Sequence, residues 1–333
     1  MRVPYAELHR ALVAALINAD FDPTRADLCA RLFADTDRDG VYSHGVNRFP
    51  RFHRMIESGV VDVHASPVPV ERCHAFERWD GQRGPGNLNA YASMQRALVL
   101  ADEYAIGCVA LANTNHWMRG GSYGWQAADA GAIGLCWTNT LPNLPPWGAR
   151  DPRLGNNPLV IAVPRPSGHV VLDMAMSQFS VGALASYRMR GESLPVDGGY
   201  DEHGSLTRDP AALERTRRLL PIGYWKGSGL ALLLDIVGAV ASGGLATHQI
   251  PTDPEKESGL TQMFLALRPP ALTDSSTTSR IVDEIVRFTR GTAADGISRY
   301  PGERTLETRR RNLAEGIPVD SAIWDEVRRF ASA

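Results

Sequence analysis

The period of the apolar residues changes twice along this chain, and that change limits the fold more than any single motif. Leu8, Leu12 and Leu16 recur every fourth residue and draw one apolar stripe along a helix. Asp22-Pro23 starts a second helix, with the aspartate as cap and the proline in the first turn; Leu28, Leu32 and Phe33 follow on it. A third helix is expected from about Phe49 to Glu57. The middle of the chain alternates instead. A long helix is expected over Leu88–Tyr104, stopped by Gly107. Apolar runs of strand length follow at Cys108–Ala112, Ile133–Thr138, Leu159–Val163, Val170–Met174 and Gln262–Leu267. Ser122–Ala130 and Leu230–Val240 read as helices among them, and helices return at Ser279–Arg290, Arg304–Glu315 and Ser321–Phe330. The order predicts an α/β protein: a helical lobe built from both chain ends (residues 1–76 and 273–333) around a central α/β lobe (77–272). Val61–Pro69, with its prolines, reads as an extended connector between lobes. Pro142–Pro158 reads as a long ordered loop, the kind that often carries function.

Composition excludes several classes. A chain of 333 residues that is 44% hydrophobic has ample length for a large core. A net charge of −2 gives no footprint for nucleic acid or a membrane surface. The basic runs at Arg215–Arg218 and Arg309–Arg311 sit in helix-like stretches, where a solvated face explains them. Cys29, Cys73, Cys108 and Cys136 are widely spaced without CxxC pairing, so reduced thiols and a cytoplasmic setting are expected. No signal peptide precedes Tyr5, and no apolar run reads as a bilayer span. There is no HExxH or Cys/His cluster, hence no expected metal. There is no GxGxxG, hence no Rossmann turn. Neighbouring side chains such as Ser43 and His44 are expected to point apart, which speaks against a hydrolase using Ser43.

Four stretches carry chemistry. Gly40–Phe52, GVYSHGVNRFPRF, holds Ser43, His44 and Arg48 close together. An imidazole exchanges a proton near neutral pH, and a guanidinium grips a carboxylate with two hydrogen bonds. The bland alternative is a helix-end turn with a surface His and Arg. Asn113–Trp117 follows a predicted strand and offers Asn115 and His116, either catalytic or structural. Arg119 beyond it binds an anion or merely sits on the next helix. Gly223–Gly229, GYWKGSG, sets Lys226 at a helix start, suited to phosphate or carboxylate; an exposed lysine on a glycine-rich turn is equally open. Asp173 ends an apolar strand, as the cap of a helix near Ser177 or as a polar anchor in a site.

The order of these motifs resembles the malate/L-lactate dehydrogenase family that lacks a Rossmann fold, with the sulfolactate dehydrogenase-like architecture. The likeness rests on Ser43-His44-Gly45 with Arg48, on His116, on Gly155-Asn156-Asn157-Pro158, on Asp173, on Gly223–Gly229 and on Pro301-Gly302-Glu303. It covers nearly the whole chain. It implies that fold, with a central mostly antiparallel or mixed sheet. It also implies a cytoplasmic homodimer with its active site near the subunit interface, and NADH bound in an extended groove, NADPH not excluded. By position, the cofactor meets His169, Val170, Val171, Leu172, Asp173, Met174, Ala175, Trp225, Lys226, Gly302, Glu303 and Arg304, and His44 is the proton donor. Ser43, Arg48, Asn115, His116 and Thr138 make up the expected substrate set: Arg48 for a carboxylate, His116 for the carbonyl or a hydroxyl.

Tyr224-Trp225 before Lys226, and Trp117 after His116, depart from the wording of plain malate or lactate dehydrogenases. With the Gly40–Phe52 wording they match a subgroup that reduces the sugar-derived 2,3-diketo-L-gulonate to 3-dehydro-L-gulonate. Rival expectations are another 2-oxo acid (malate, lactate or sulfolactate type), a cyclic imino acid reduced at C=N, a silent binder of sugar acids, and a hydrolase using Ser43. Trp117 and Trp147 are expected to give the site broad flat walls.

Overall fold

The structure, a computed structural model, describes residues 1–268, 275–290 and 298–332. A seven-stranded mixed sheet runs through the middle of the chain. Its strands lie in the spatial order Val68–Cys73, Phe76–Asp80, Ile106–Asn115, Ser258–Leu267, Ile133–Thr138, Leu159–Val163, Val170–Met174. Neighbours are antiparallel except Phe76–Asp80 and Ile106–Asn115, which run parallel. The expected α/β class and mixed sheet are therefore present.

Alternation along the strands builds two cores, because successive strand side chains point to opposite faces. Cys136 joins Val109, Leu111, Val160 and Phe264 in a core under the helices Gly86–Tyr104 and Gly121–Asp129. Its neighbour Trp137 points the other way, toward Ala231 and Leu234 of the helix Trp225–Ser242. A third core unites the chain ends. Leu8, Leu12, Leu16, Phe33, Phe49 and Phe52 pack with Trp324 and Val327 of the helix Ser321–Ser332. A two-stranded pair, Arg2–Val3 with Ile317–Pro318, closes the same contact. The boundary expected at residues 272/273 lies outside the described residues.

Local signals worked where their physics is local. Asp22 caps the helix Pro23–Arg38 by accepting from the N–H groups of Thr24 and Arg25, with Pro23 in the first turn. All four cysteines are free. Other expectations are corrected. The end of the connector is a strand, Val68–Cys73, paired with Phe76–Asp80. It is the sheet's edge and is exposed throughout, so prolines are tolerated and no burial alternation marks it. The helix expected near Ser177 begins later, as Val181–Met189, and the helix-like stretch at Arg215–Arg218 overlaps the end of a short helix, Pro210–Thr216. The glycine-rich turn at Lys226 is shorter than expected, because the helix already begins at Trp225.

The helix Trp225–Ser242 is, by length and hydropathy alone, apolar enough to cross a bilayer, unlike the sequence-based expectation. One face packs against the sheet and includes the buried Asp235, which accepts from Thr247 N–H and Asn139 Nδ2. The other face exposes Leu230, Leu232, Leu233, Ile236, Val237 and Val240.

Candidate active site

The site is organised by the turn after the helix Pro23–Arg38. Two short 3-10 turns, Tyr42–His44 and Val46–Arg48, meet at Gly45 and lead into the helix Phe49–Glu57. Asp37, fully buried, accepts the Val46 N–H at 2.6 Å, and burial pushes its carboxyl well above the ordinary carboxylate range. A Cβ on Gly45 would lie 2.1 Å from Asp37 Oδ1, so only glycine lets the backbone come this close.

The turn faces His44 to His116, which follows the strand Ile106–Asn115 directly. The rings stack at 5.8 Å between centroids. Both keep some solvent contact while protein encloses them almost entirely, the signature of side chains lining a narrow cleft. Burial, then the charges of Arg48 and Arg119, lower the His44 pKa to about 4. Burial, then Arg48, His44 and Arg51, lower that of His116 well below its ordinary value. The Met118 N–H donates to His116 Nδ1 at 3.0 Å, so the proton of the neutral ring sits on Nε2. Ser43 Oγ lies 2.9 Å from His44 Nδ1. The expectation that these neighbours point apart is corrected: the 3-10 turn brings them together. Ser43 also packs against Gly182, where a Cβ would lie 2.7 Å from its hydroxyl.

Arg48 approaches Glu257 at 3.5 Å, and Arg51 approaches the same carboxylate oxygen at 3.6 Å. Burial, then Arg51, lowers the Arg48 pKa to about 10, which still leaves it charged at neutral pH. Neither Arg51 nor Glu257 was singled out from the sequence. Glu257 is far away in the chain, and Arg51 had only its place three residues after Arg48 to mark it. Arg119 belongs to another cluster. It is 5% exposed and donates to Asp39 at 2.6 Å, which Arg38 and Arg309 also hold. Those partners depress the Asp39 pKa.

Three segments expected at the cofactor converge on the sheet's last strand, Val170–Met174. The Val171 N–H donates to Pro301 O at 2.9 Å, which brings Gly302, Glu303 and Arg304 beside its start. The Ile222 N–H donates to Met176 O at 2.8 Å, which brings Trp225 and Lys226 toward its end, past Ala175. Gly302 has φ +95°, and a Cβ there would press on Val171 N at 3.1 Å. Trp225 is 66% exposed, and the Lys226 ammonium lies 6.0 Å from its ring centre. Val170, Leu172 and Met174 are half-buried and alternate with Val171. His169 turns elsewhere: Nδ1 accepts from the Arg165 N–H, and Nε2 donates to Asp129 at 2.9 Å. Glu303 is ion-paired with Arg290, and Arg304 is exposed. Asp173 accepts the Gly121 N–H at 2.9 Å, so it caps the helix Gly121–Asp129 across the sheet and not the segment near Ser177. The residue keeps solvent contact while protein surrounds its carboxyl, and that enclosure raises its pKa, with Arg119, 4.0 Å away, opposing.

Two expected substrate residues are turned toward backbone. Asn115 donates to Arg83 O and Gly84 O, although its own Oδ1 is buried without a partner among the described residues. Thr138 is 1% exposed, and its hydroxyl lies within donating distance of Asn139 O and Thr261 O. Trp117 does not wall the cleft. It is 1% exposed and packs in the core against Tyr123 and Phe264. Trp147 is exposed, beside Tyr224 at 5.0 Å. Among the described residues no cluster of His, Cys, Asp and Glu could hold a metal ion.

His44 and His116 thus stack in a narrow cleft near Arg48, and the glycine turns before Trp225 and at Gly302 reach the sheet's last strand. The sequence matches the family described as malate/L-lactate dehydrogenase over residues 3–328, and the chain belongs to that family. It is 44% identical to 2,3-diketo-L-gulonate reductase of Shigella boydii over 332 residues, covering 98% of this chain and 99% of that one. Sulfolactate dehydrogenase from Methanocaldococcus jannaschii superposes with TM-score 0.91 at 26% identity, covering 100% of this chain and 97% of that one. Delta1-piperideine-2-carboxylate reductase from Pseudomonas syringae superposes with TM-score 0.88 at 28% identity, covering 99% of both chains.

Proposed function

We propose that this chain reduces the 2-oxo carbonyl of a sugar-derived keto acid with NADH, converting 2,3-diketo-L-gulonate to 3-dehydro-L-gulonate. The observation that carries this reading is the 44% identity, end to end, with a reductase of that name.

The residues on the edge strand fit a nicotinamide dinucleotide. Val170, Leu172 and Met174 offer a half-buried apolar face, Lys226 an ammonium for phosphate, and Gly302 an approach that a side chain would block. His169–Ala175, Trp225, Lys226 and Gly302–Arg304 would hold it. When bound, NADH supplies a hydride to the carbonyl carbon. His44 gives the proton that the carbonyl oxygen needs as alkoxide charge develops. Arg48 grips the carboxylate and so orients the carbonyl toward the histidines. His116, with its proton fixed on Nε2, donates a hydrogen bond into the cleft and polarises the carbonyl or holds a neighbouring hydroxyl. Ser43 steadies the His44 ring through Nδ1.

His44 is neutral in the unliganded cleft, because burial and two arginines hold its pKa down to about 4. A substrate carboxylate on Arg48 offsets one of those charges. Substrate binding and proton uptake by His44 therefore favour one another.

The exposed apolar face of Trp225–Ser242 supports a homodimer. That helix begins at Trp225 and Lys226, so a second copy seated there would border the cofactor segment. Four free thiols support a cytoplasmic setting.

The test is NADH consumption with 2,3-diketo-L-gulonate, pyruvate, oxaloacetate and a cyclic imino acid, repeated with NADPH. Turnover restricted to the diketo acid with NADH is expected. Preference for the imino acid or for a simple 2-oxo acid would replace the substrate, and preference for NADPH would replace the cofactor.

A further inference from the structure

Arg51 stands one helical turn beyond Arg48, so their guanidiniums share a face. Glu257 precedes the strand Ser258–Leu267, whose Ser258 is in register with Asn115; this brings it to the His116 end of the sheet. Glu257 is 4% exposed, and its Oε1 accepts the Leu141 N–H at 3.3 Å. Its Oε2 sits between the two guanidiniums at 3.5 and 3.6 Å. Those separations give ionic attraction but exceed direct hydrogen-bond length. Arg51 Nε and Nη2 are buried and have no hydrogen-bond acceptor among the described residues. Buried donors normally find a partner, so these two point to an acceptor that comes from outside the chain. The charges agree: Glu255 and Asp253 also act on Arg51 but are paired with Arg54 and Lys256, so two guanidiniums and one carboxylate leave a net single positive charge, which matches a monoanionic acid.

We infer that Arg51 is a second substrate-anion residue: Arg48 and Arg51, held side by side by Glu257, form a two-guanidinium clamp on the substrate carboxylate. A carboxylate has about four acceptor positions, so one guanidinium does not saturate it. Glu257 is the positioning residue of the clamp. The inference deepens the keto-acid reading and rests on it for the identity of the acid.

Calorimetric titration of L-gulonate into the whole protein tests it, with and without saturating NADH. Arg51→Met is expected to weaken L-gulonate binding at least tenfold, equivalent to about 1.4 kcal/mol. Arg51→Lys should recover part of that, and Glu257→Gln should weaken binding less than Arg51→Met. Binding of the uncharged L-gulono-1,4-lactone should change less than about twofold. A merely structural role would weaken the acid and the lactone alike, and that result overturns the clamp. Wild-type affinity for L-gulonate in Arg51→Met and Arg51→Lys also overturns it, as does no binding by the wild type. The two readings fail separately. Binding lost in Arg51→Met with no keto acid reduced by the wild type keeps the clamp and removes the reductase. Turnover of the diketo acid with Arg51 variants unaffected does the reverse.

Discussion

Asp39 and Glu257 are buried carboxylates that each gather arginines, and they do it differently. Asp39 is held by Arg38 at 2.9 Å, by Arg119 at 2.6 Å and by Arg309 through two bonds at 2.7 and 2.8 Å. Its partners come from its own helix end, from the turn after His116 and from the helix Glu303–Glu315, so the bonds tie the chain's beginning, middle and end. Glu257 meets Arg48 and Arg51 only at 3.5 and 3.6 Å. Residue types and burial are alike in the two places. What separates them is the reach of the carboxylate: Asp39 takes direct bonds from all three guanidiniums, although Arg119 Nε is left buried without an acceptor among the described residues, while Glu257 stands at 3.5 and 3.6 Å from both of its own. The Asp39 cluster is the more closed of the two and acts as architecture, while the Glu257 cluster leaves two Arg51 nitrogens without an acceptor among the described residues. His44 lies between them, depressed by one arginine from each.

The largest expected effect breaks the closed cluster. Asp39→Ala leaves Arg119 and Arg309 without their directly bonded anion, Arg38 keeping only Asp35, and should destabilise the fold by about 3–5 kcal/mol in urea unfolding. A loss below about 1 kcal/mol would remove the distinction drawn here.

Acid should sort the two regions next. The His44 pKa is lowered from 6.5 to about 4, so the unfolded chain takes up the proton first. Above pH 6.5 the ring is neutral in both states and costs nothing. As pH falls from 6.5 toward 4, this histidine should remove up to ~3 kcal/mol of stability. Asp39, with its pKa depressed by its arginines, keeps its stabilisation to lower pH than that window. His44→Gln should flatten the decline between pH 6.5 and 4; an unchanged slope would show that His44 is not held neutral.

The smallest effect probes the open cluster. Arg48→Ala should raise KM for carboxylate substrates about 10–100-fold, a loss of ~1.5–3 kcal/mol, and shift the urea midpoint far less than Asp39→Ala. An unchanged KM would move the carboxylate elsewhere.

The open cluster was half legible in the sequence, and the closed one hardly at all. Arg48 stands four residues after His44, and that local spacing announced it. Glu257 is more than 200 residues away in sequence and reaches Arg48 only through sheet register, which no local pattern encodes. The same holds for Arg309, which bonds Asp39 across 270 residues. Strands such as Ile133–Thr138 were readable because an apolar run of strand length marks them. Val68–Cys73 was not, because an exposed edge strand carries no such run. Asp173 was seen as a cap but for the wrong helix, since a cap supplied across a sheet leaves no spacing to read. Trp117, which follows His116, was taken for a wall of the site, yet Phe264 and Tyr123 draw it into the core.

The most direct test of the account is NADH consumption with 2,3-diketo-L-gulonate, measured for the wild type and for His44→Ala. The account predicts steady turnover by the wild type and a fall in kcat of about 10²–10⁴-fold in the variant, with its fold intact by circular dichroism. Near-wild-type turnover in His44→Ala would contradict the proton-donor role, and no NADH-dependent reduction by the wild type would contradict the reductase itself.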